Sequence, residues 1–206
     1  TYAYSEKYVL VISHDEVVHL KKSMLEKMPG EPDDKFKNLK AAYTFMFCHP
    51  GKKLLFMGQE FGQLREWSEE RELDWFLLGE EKHRDLKDFV QTLLKMYRKY
   101  PALYGTDTDP SGFEWINADD GDRSIYSFVR KSPTGRNNLL VICNFTPMDR
   151  PDYRVGVPKK KQYTQLLDEN GMTAKKVFKA EKQDCDNRPF SFAYPLPAYG
   201  VAIFQY

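Results

Sequence analysis

Ser13-His14-Asp15-Glu16-Val17-Val18-His19 crowds two imidazoles and two carboxylates into one short stretch, directly after the apolar run Tyr8–Ile12. A helical zinc site places its histidines at i and i+4 on one face, with Glu following the first. His14 and His19 are five positions apart, about 140° round a helix. A deaminase-type His-x-Glu needs a Pro-Cys-x-x-Cys partner, and Cys48, Cys143 and Cys185 are widely separated. The spacing thus argues against a metal, and nothing else in the chain asks for a cofactor. Retaining glycoside chemistry needs two acids facing each other about 5–5.5 Å apart. Asp15 and Glu16 are adjacent, and near a strand end adjacent side chains point to opposite sides. They do not read as a nucleophile–acid pair. Asp15 can still bind sugar hydroxyls, with His14 donating a hydrogen bond beside it. A solvated, charged exit from a strand explains the same residues, and spacing alone leaves both readings open.

A second cluster, Phe56-Met57-Gly58-Gln59-Glu60-Phe61-Gly62-Gln63 followed by Arg65-Glu66-Trp67, trails the apolar run Leu54–Met57. Glu60 and Gln63 can bind sugar hydroxyls, and Trp67 offers an apolar face to a pyranose ring. A structural turn, with glycines supplying unusual backbone angles, accounts for the cluster equally well.

Two apolar runs and two helices must position these groups. Tyr8–Ile12 and Leu54–Met57 are short, unbroken and apolar, the pattern of parallel strands buried on both faces. Between them Phe36, Leu39, Tyr43 and Met46 repeat every three to four residues, opened by Asp33-Asp34 and closed by Pro50-Gly51. That predicts a helix over 33–49. Leu86, Phe89, Val90, Leu93, Leu94 and Tyr97 form one stripe of a second helix over 84–100, stopped by Pro101. About 20 residues separate Ile12 from the first helix and about 25 separate Met57 from the second. Ordinary strand-to-helix loops run to roughly 2–6 residues. Long loops after strand C-termini are where barrel enzymes build sites. Two parallel strands cannot make a covered sheet, so this unit calls for neighbours.

From about Gly105 the period changes. Runs at 113–117, 124–130, 138–145, 153–157, 162–168, 190–194 and 199–206 read as short strands. Turn signals such as Asp119-Asp120-Gly121-Asp122 separate several of them. This spacing argues for an antiparallel sandwich. The division falls at 1–106 and 107–206.

Composition narrows the function classes. The 206 residues are 41% hydrophobic and 30% charged, enough apolar material to exclude a disordered chain. Net charge is +1 and neither half is basic, so no nucleic-acid partner is expected. No apolar run reaches the roughly 18–20 residues of a membrane span, so no membrane partner is expected either. Three scattered cysteines suit an intracellular, cytoplasmic setting rather than a disulfide framework. The chain opens at Thr1 with a strand close behind and no signal-peptide pattern. It reads as a piece of a longer protein, whose N-terminal part is the absent partner.

The ordered set of motifs resembles the 1,4-α-glucan (glycogen) branching enzymes of the α-amylase superfamily. Ser13–His19, continued by Lys21-Lys22-Ser23-Met24, is similar to that family's fourth signature region, at the end of its seventh barrel strand. Pro50–Gly58 with Glu60-Phe61, Gln63, Glu66-Trp67 and Leu73-Asp74-Trp75 resembles the eighth strand and its loop. Gly112–Trp115 and Asn144–Pro147 resemble its C-terminal β domain. The resemblance implies the last two strands and helices of a (β/α)8 barrel followed by an antiparallel β-sandwich. It implies an α-glucan substrate, cleaved at an α-1,4 bond with retention and transferred to a 6-hydroxyl. His14 and Asp15 match the family's catalytic transition-state-binding pair; Glu16, Glu60, Gln63 and Trp67 are the residues expected to bind substrate beside them. Leu20 stands where many members have Gly. The family's nucleophile and acid lie on earlier strands that this sequence does not contain, so the chain alone is expected to be inactive. The competing reading is a non-catalytic glucan-binding module. An Asp and a Glu on preceding strand ends of the parent would separate the two.

Overall fold

The computed structural model describes residues 4, 7–173 and 175–206. Strand β1 (Val9–Ile12) leads through a 3-10 turn (His14–Glu16) and the short helix α1 (Met24–Lys27) to helix α2 (Pro32–Cys48) and strand β2 (Lys52–Leu55). A long loop then reaches helix α3 (Glu81–Lys99), and α4 (Pro101–Tyr104) follows at once. Pro101 ends one helix and starts the next, because a missing N–H costs nothing at a first helical position.

β1 and β2 pair in parallel, Val9 opposite Lys52 and Val11 opposite Leu54. The sequence predicts strands buried on both faces; the structure covers one. Leu10, Ile12 and Leu55 pack against the α2–α3 core, while Val9, Val11 and Leu54 are exposed. Unbroken apolar runs signal two covered faces, and among the described residues nothing lies on the second. Strand β2 also ends at Leu55, so Phe56 and Met57 belong to the loop.

Helix α2 starts with Pro32 at its first turn and Asp33 and Asp34 complementing its dipole. Its buried face includes Leu39, Tyr43, Met46 and Phe47. On α3 the covered stripe is His83, Leu86, Phe89, Val90, Leu93 and Met96. Leu94, expected on that stripe, is exposed instead.

The second half is all β. β3 (Phe113–Asn117), β4 (Ile125–Arg130), β5 (Leu139–Asn144), β6 (Arg150–Val157), β7 (Gln162–Asp168), β8 (Gly171–Met172), β9 (Val177–Lys179), β10 (Phe190–Leu196) and β11 (Val201–Gln205) follow in chain order. β3-β4-β5-β11-β7-β8 form one antiparallel sheet, with β9 also on β7, and β6 pairs with β10. β8 and β9 escape a sequence reading because two or three residues carry no period.

β5 shows why the halves hold together. Every residue of Leu139–Asn144 is buried. Leu140 and Ile142 face the sandwich interior with Val155, Phe192 and Phe204; Leu139, Val141 and Cys143 join the core built on α2 and α3. The large sheet is therefore covered twice, by β6–β10 and by the helices. Phe45, His49, Phe113, Trp115 and Phe128 interlock at that second junction. The Tyr and Phe residues of the second half read as sandwich core in sequence, yet Phe113 and Phe128 serve the junction. The free thiols of Cys48 and Cys143 are buried, as their apolar settings predict; burial pushes the Cys48 thiol up to about 12.

Candidate functional site

Where β1 ends, Ser13 caps the 3-10 turn. Its Oγ accepts from Asp15 N–H at 3.2 Å, and Glu16 Oε2 reaches back to Ser13 N–H at 2.5 Å. This is a capping box, in which two otherwise orphaned donors are satisfied reciprocally. Glu16 is thereby committed to the backbone. The tight turn carries His14 and Asp15 outward, both more than half exposed, with His14 Nε2 3.3 Å from Asp15 Oδ1.

The β2 loop is shaped by Gly58 at φ 84° and Gly62 at φ 71°, on either side of the turn Gln59–Phe61. A Cβ on Gly62 would meet Leu86 at 3.0 Å, so glycine serves there both for backbone angle and for room. In a 3-10 turn, successive side chains swing about 120° apart. Gln59 points inward: its Nε2 donates to Ser13 carbonyl at 3.3 Å and its Oε1 accepts from Phe56 N–H at 3.2 Å. Glu60 therefore leaves on another side. It lines a groove with Phe47, Lys53, Leu55, Val90 and Leu94, and the structure does not bring it beside Asp15.

Gln63 is buried. Its Oε1 accepts from Asp74 N–H at 3.1 Å and its Nε2 donates to Arg65 carbonyl at 3.3 Å. Asp74, also buried, takes a two-pronged ion pair from Arg65, whose Nε donates at 2.9 Å. Hydrogen bonding from Arg65 holds the Asp74 carboxyl below the usual carboxylate range. Gln63, Arg65 and Asp74 together brace the loop that carries Trp67.

Trp67 does meet the first cluster. Its backbone N–H donates to Val17 carbonyl at 3.0 Å, and its ring stands edge-on to Phe56 at 5.1 Å. Phe56 in turn lies 5.8 Å from the His14 ring. His14, Val18, His19, Phe56, Trp67 and Glu69 line one open cleft of about 600 Å³. It is walled by aromatic faces and rimmed by imidazoles and a carboxylate, the surfaces a sugar ring and its hydroxyls require.

Glu66 closes the arrangement. Its carboxylate accepts from Leu20 N–H at 3.1 Å and Lys22 N–H at 2.6 Å. His19, Leu20 and Lys22 all have positive φ, at 58°, 65° and 67°. Sequence reasoning missed Gln59, Glu66 and Glu69 as members of this site. For Gln59 a signal was available, since it directly follows Gly58 in the loop after β2.

Comparison with known proteins follows the same outline. Residues 115–206 match the family described as alpha amylase, C-terminal all-beta domain. The chain is 54% identical across its full length to a 1,4-alpha-glucan branching enzyme of Butyrivibrio fibrisolvens, covering 33% of that protein. It is 45% identical to the corresponding enzyme of Aquifex aeolicus, again over all of this chain and 34% of the relative. It thus spans about a third of the length of the curated relatives it matches. Among solved structures, a type I pullulanase from Bacillus subtilis complexed with maltose superposes with TM-score 0.65 at 15% identity, covering 85% of this chain and 24% of the pullulanase. An alpha-amylase from H. orenii gives 0.60 at 15% identity, covering 96% and 40%. The chain thus shares its fold with these solved structures, and residues 115–206 match the all-beta C-terminal domain family.

Proposed function

We propose, for a chain that belongs by sequence to the C-terminal portion of the 1,4-α-glucan branching-enzyme family, that it supplies one wall of the parent protein's catalytic cleft. The parent cleaves an α-1,4 glucan with retention and passes the segment to a 6-hydroxyl, building α-1,6 branches of the glycogen type. His14 and Asp15 act on the sugar at the point of cleavage. They accept and donate hydrogen bonds to ring hydroxyls that tighten as the ring flattens toward an oxocarbenium ion. Trp67, with Phe56, gives the neighbouring sugar an apolar platform. Glu16, Gln63 and Glu66 act as positioning residues: each spends its polar atoms on the backbone of the two loops. Glu60, in its separate groove, reaches substrate only if that groove continues the cleft in the parent.

The observation that carries this reading is the meeting of His14, Phe56 and Trp67 from two strand-end loops over one cleft. The division at 106/107 belongs to the same reading, with residues 1–106 forming barrel and 107–206 a supporting domain. So do the cytoplasmic setting and the N-terminal part of the protein as the other wall.

The test is Asp15→Ala in the parent protein, assayed by iodine absorbance and debranched chain profile. An interaction made mainly in the transition state lowers kcat with little change in KM, and a loss of about 100-fold or more is expected. Turnover near that of the unmutated enzyme removes Asp15 from the mechanism. A non-catalytic glucan-binding module predicts weakened binding without any turnover to lose.

A further inference from the structure

The orientation of Asp15 rests on a backbone turn rather than on packing. Its side chain is 72% exposed, so packing does not fix it. A three-residue 3-10 turn, with its poorer hydrogen-bond geometry, is a weak support by itself. Its own backbone bond runs from Val17 N–H to His14 carbonyl at 2.9 Å. The carbonyls of Asp15 and Glu16 come after that bond, at the end where a helix leaves its oxygens open. Both are met by lysine side chains. Lys21 Nζ donates to the Asp15 carbonyl at 2.8 Å, and Lys27 Nζ donates to the Glu16 carbonyl. Side-chain cations at a helix C-terminus satisfy such oxygens and suit their partial negative charge.

Each lysine is itself held. Lys21 follows His19 and Leu20, whose positive φ of 58° and 65° turns the chain back. Glu66 accepts from the N–H groups on either side of it, those of Leu20 and Lys22, and Lys21 N–H donates to Val18 carbonyl at 3.3 Å. The strained course thus has a use, because it returns the Lys21 ammonium to the Asp15 peptide; strain of this kind gathers at working sites. Lys27 is the last residue of α1, whose start is capped by the buried Ser23 and whose Leu25 is buried. Exposed lysines pinned in one geometry lose rotamer freedom and return little stability. Two of them converging on consecutive carbonyls of one turn therefore serve the aim of that turn rather than folding.

We propose that Lys21 and Lys27 are positioning residues for Asp15, holding the turn so that its carboxylate faces the sugar at the point of cleavage. This rests on the reading that Asp15 acts on that sugar. Neither lysine needs to touch substrate. Both ammoniums are engaged on peptide oxygens, which leaves the carboxylate to the ring hydroxyls. Successive side chains in a 3-10 turn stand about 120° apart, so a small rotation of the turn redirects Asp15. A misplacement of about 1 Å lowers a rate by on the order of 100-fold, and a loosened turn therefore reduces turnover without removing any reacting group.

Lys21→Met in the parent protein tests this, since methionine keeps the apolar stem and loses the donor. The expected result is a kcat lower by roughly tenfold with KM little changed, as loss of a charge-assisted hydrogen bond allows. Lys27→Met should act in the same direction. Lys21→Arg should recover most of the lost turnover, because a guanidinium also donates to a carbonyl. The melting temperature should hold in all three, because both side chains are exposed. In an Asp15→Ala background Lys21→Met should cost nothing further, there being no carboxylate left to aim. The proposal is overturned if Lys21→Met keeps full kcat while Asp15→Ala loses it. It also fails if KM alone rises, as direct glucan binding by the lysine requires, or if the tenfold loss recurs undiminished in Asp15→Ala. Full turnover in Asp15→Ala by itself would instead remove the underlying reading, so the two fail separately.

Discussion

The Glu66 carboxylate accepts the Lys22 N–H at 2.6 Å and, with its other oxygen, the Leu20 N–H at 3.1 Å. One side chain from the second strand-end loop thus holds the first loop in a left-handed course that side chains rarely adopt. A left-handed residue costs roughly 1–2 kcal/mol when it is not glycine, and His19, Leu20 and Lys22 each take that conformation. Leu20 is also 95% exposed, so its side chain returns no burial energy. Leu20→Gly is expected to raise stability by up to about 1 kcal/mol, the relieved strain exceeding the entropy glycine adds to the unfolded chain. Glu66→Ala is expected to speed amide exchange across 17–22 without unfolding the sandwich. Exchange mass spectrometry reads both. An unchanged loop in Glu66→Ala would mean that the clamp is incidental.

The branching-family resemblance marks Leu20 as a place where glycine is usual, and the φ of 65° supplies the physical reason. Much else here was legible for similar reasons. The α2 and α3 helices follow from three- and four-residue spacing plus Pro and acidic start signals, and the 113–117 and 162–168 strands fall as read. What was not legible depends on rotation within single turns. Gln59 faces Ser13 and Glu60 faces away because a 3-10 turn separates them by about 120°, and a sequence shows only that both are polar. Arg130 was silent for another reason: a basic residue at a strand end looks like solvent-facing charge until a helix end is placed over it.

Arg130 is fully buried where the two halves meet. Its guanidinium donates to Cys48 carbonyl at 2.8 Å, to Leu103 carbonyl at 3.2 Å and to Asp107 Oδ1 at 2.9 Å. Asp107 also accepts from Tyr97 Oη at 2.7 Å. The network ties the C-termini of α2 and α4 to β4, satisfying carbonyls that those helix ends leave open. Arg130→Ala is expected to cost about 3–5 kcal/mol, because it strands a buried carboxylate and two carbonyls. Urea unfolding measures this. In a double-mutant cycle with Asp107→Asn the losses should be less than additive; additive losses would show that the pair does not act as a unit.

Lys53 gives stability a pH dependence. Burial is the main reason its ammonium is disfavoured, with the Arg130 charge adding to it and Asp107 opposing, and the outcome is a pKa lowered to about 7. Between pH 7 and the unfolded value near 10.4, the unfolded chain binds the proton and the folded chain does not. Stability therefore rises with pH across that window. His49, lowered by burial to about 4, adds a second rise between pH 4 and its unfolded value near 6.5. Lys53→Met should stabilise the chain most at and below neutral pH and flatten the alkaline rise. Melting temperatures from pH 6 to 9.5 check this. A parallel curve for the variant would assign the rise to other groups.

Val9, Val11 and Leu54 lie exposed on one face of the β1–β2 pair. Exposed apolar strands with open edges invite association. The 206-residue chain is expected to self-associate as its concentration rises, and Val11→Lys should suppress this. Sedimentation velocity decides it. Equal association in the variant would move the sticky surface elsewhere.

The last prediction concerns chemistry, and the carboxylates around the cleft decide it. Retaining transfer needs a nucleophile and a separate acid about 5–5.5 Å apart across the bond. Glu16 is held by the Ser13 backbone, Glu66 by Leu20 and Lys22, and Asp74 by Arg65. Glu60 opens into a different groove. That leaves Asp15, beside His14, and Glu69, which is exposed on the cleft's rim. A general acid sits in an apolar setting, whereas both of these carboxylates are exposed to solvent. The isolated chain is therefore expected neither to branch nor to hydrolyse amylose, while the same residues remain necessary in the parent. Incubation with amylose, following iodine absorbance and reducing ends, provides the measurement. Turnover that scales with chain concentration and vanishes in both Asp15→Asn and Glu69→Gln would show that these two acids suffice as a pair, and the assignment of the nucleophile to the parent's other strands would then be wrong.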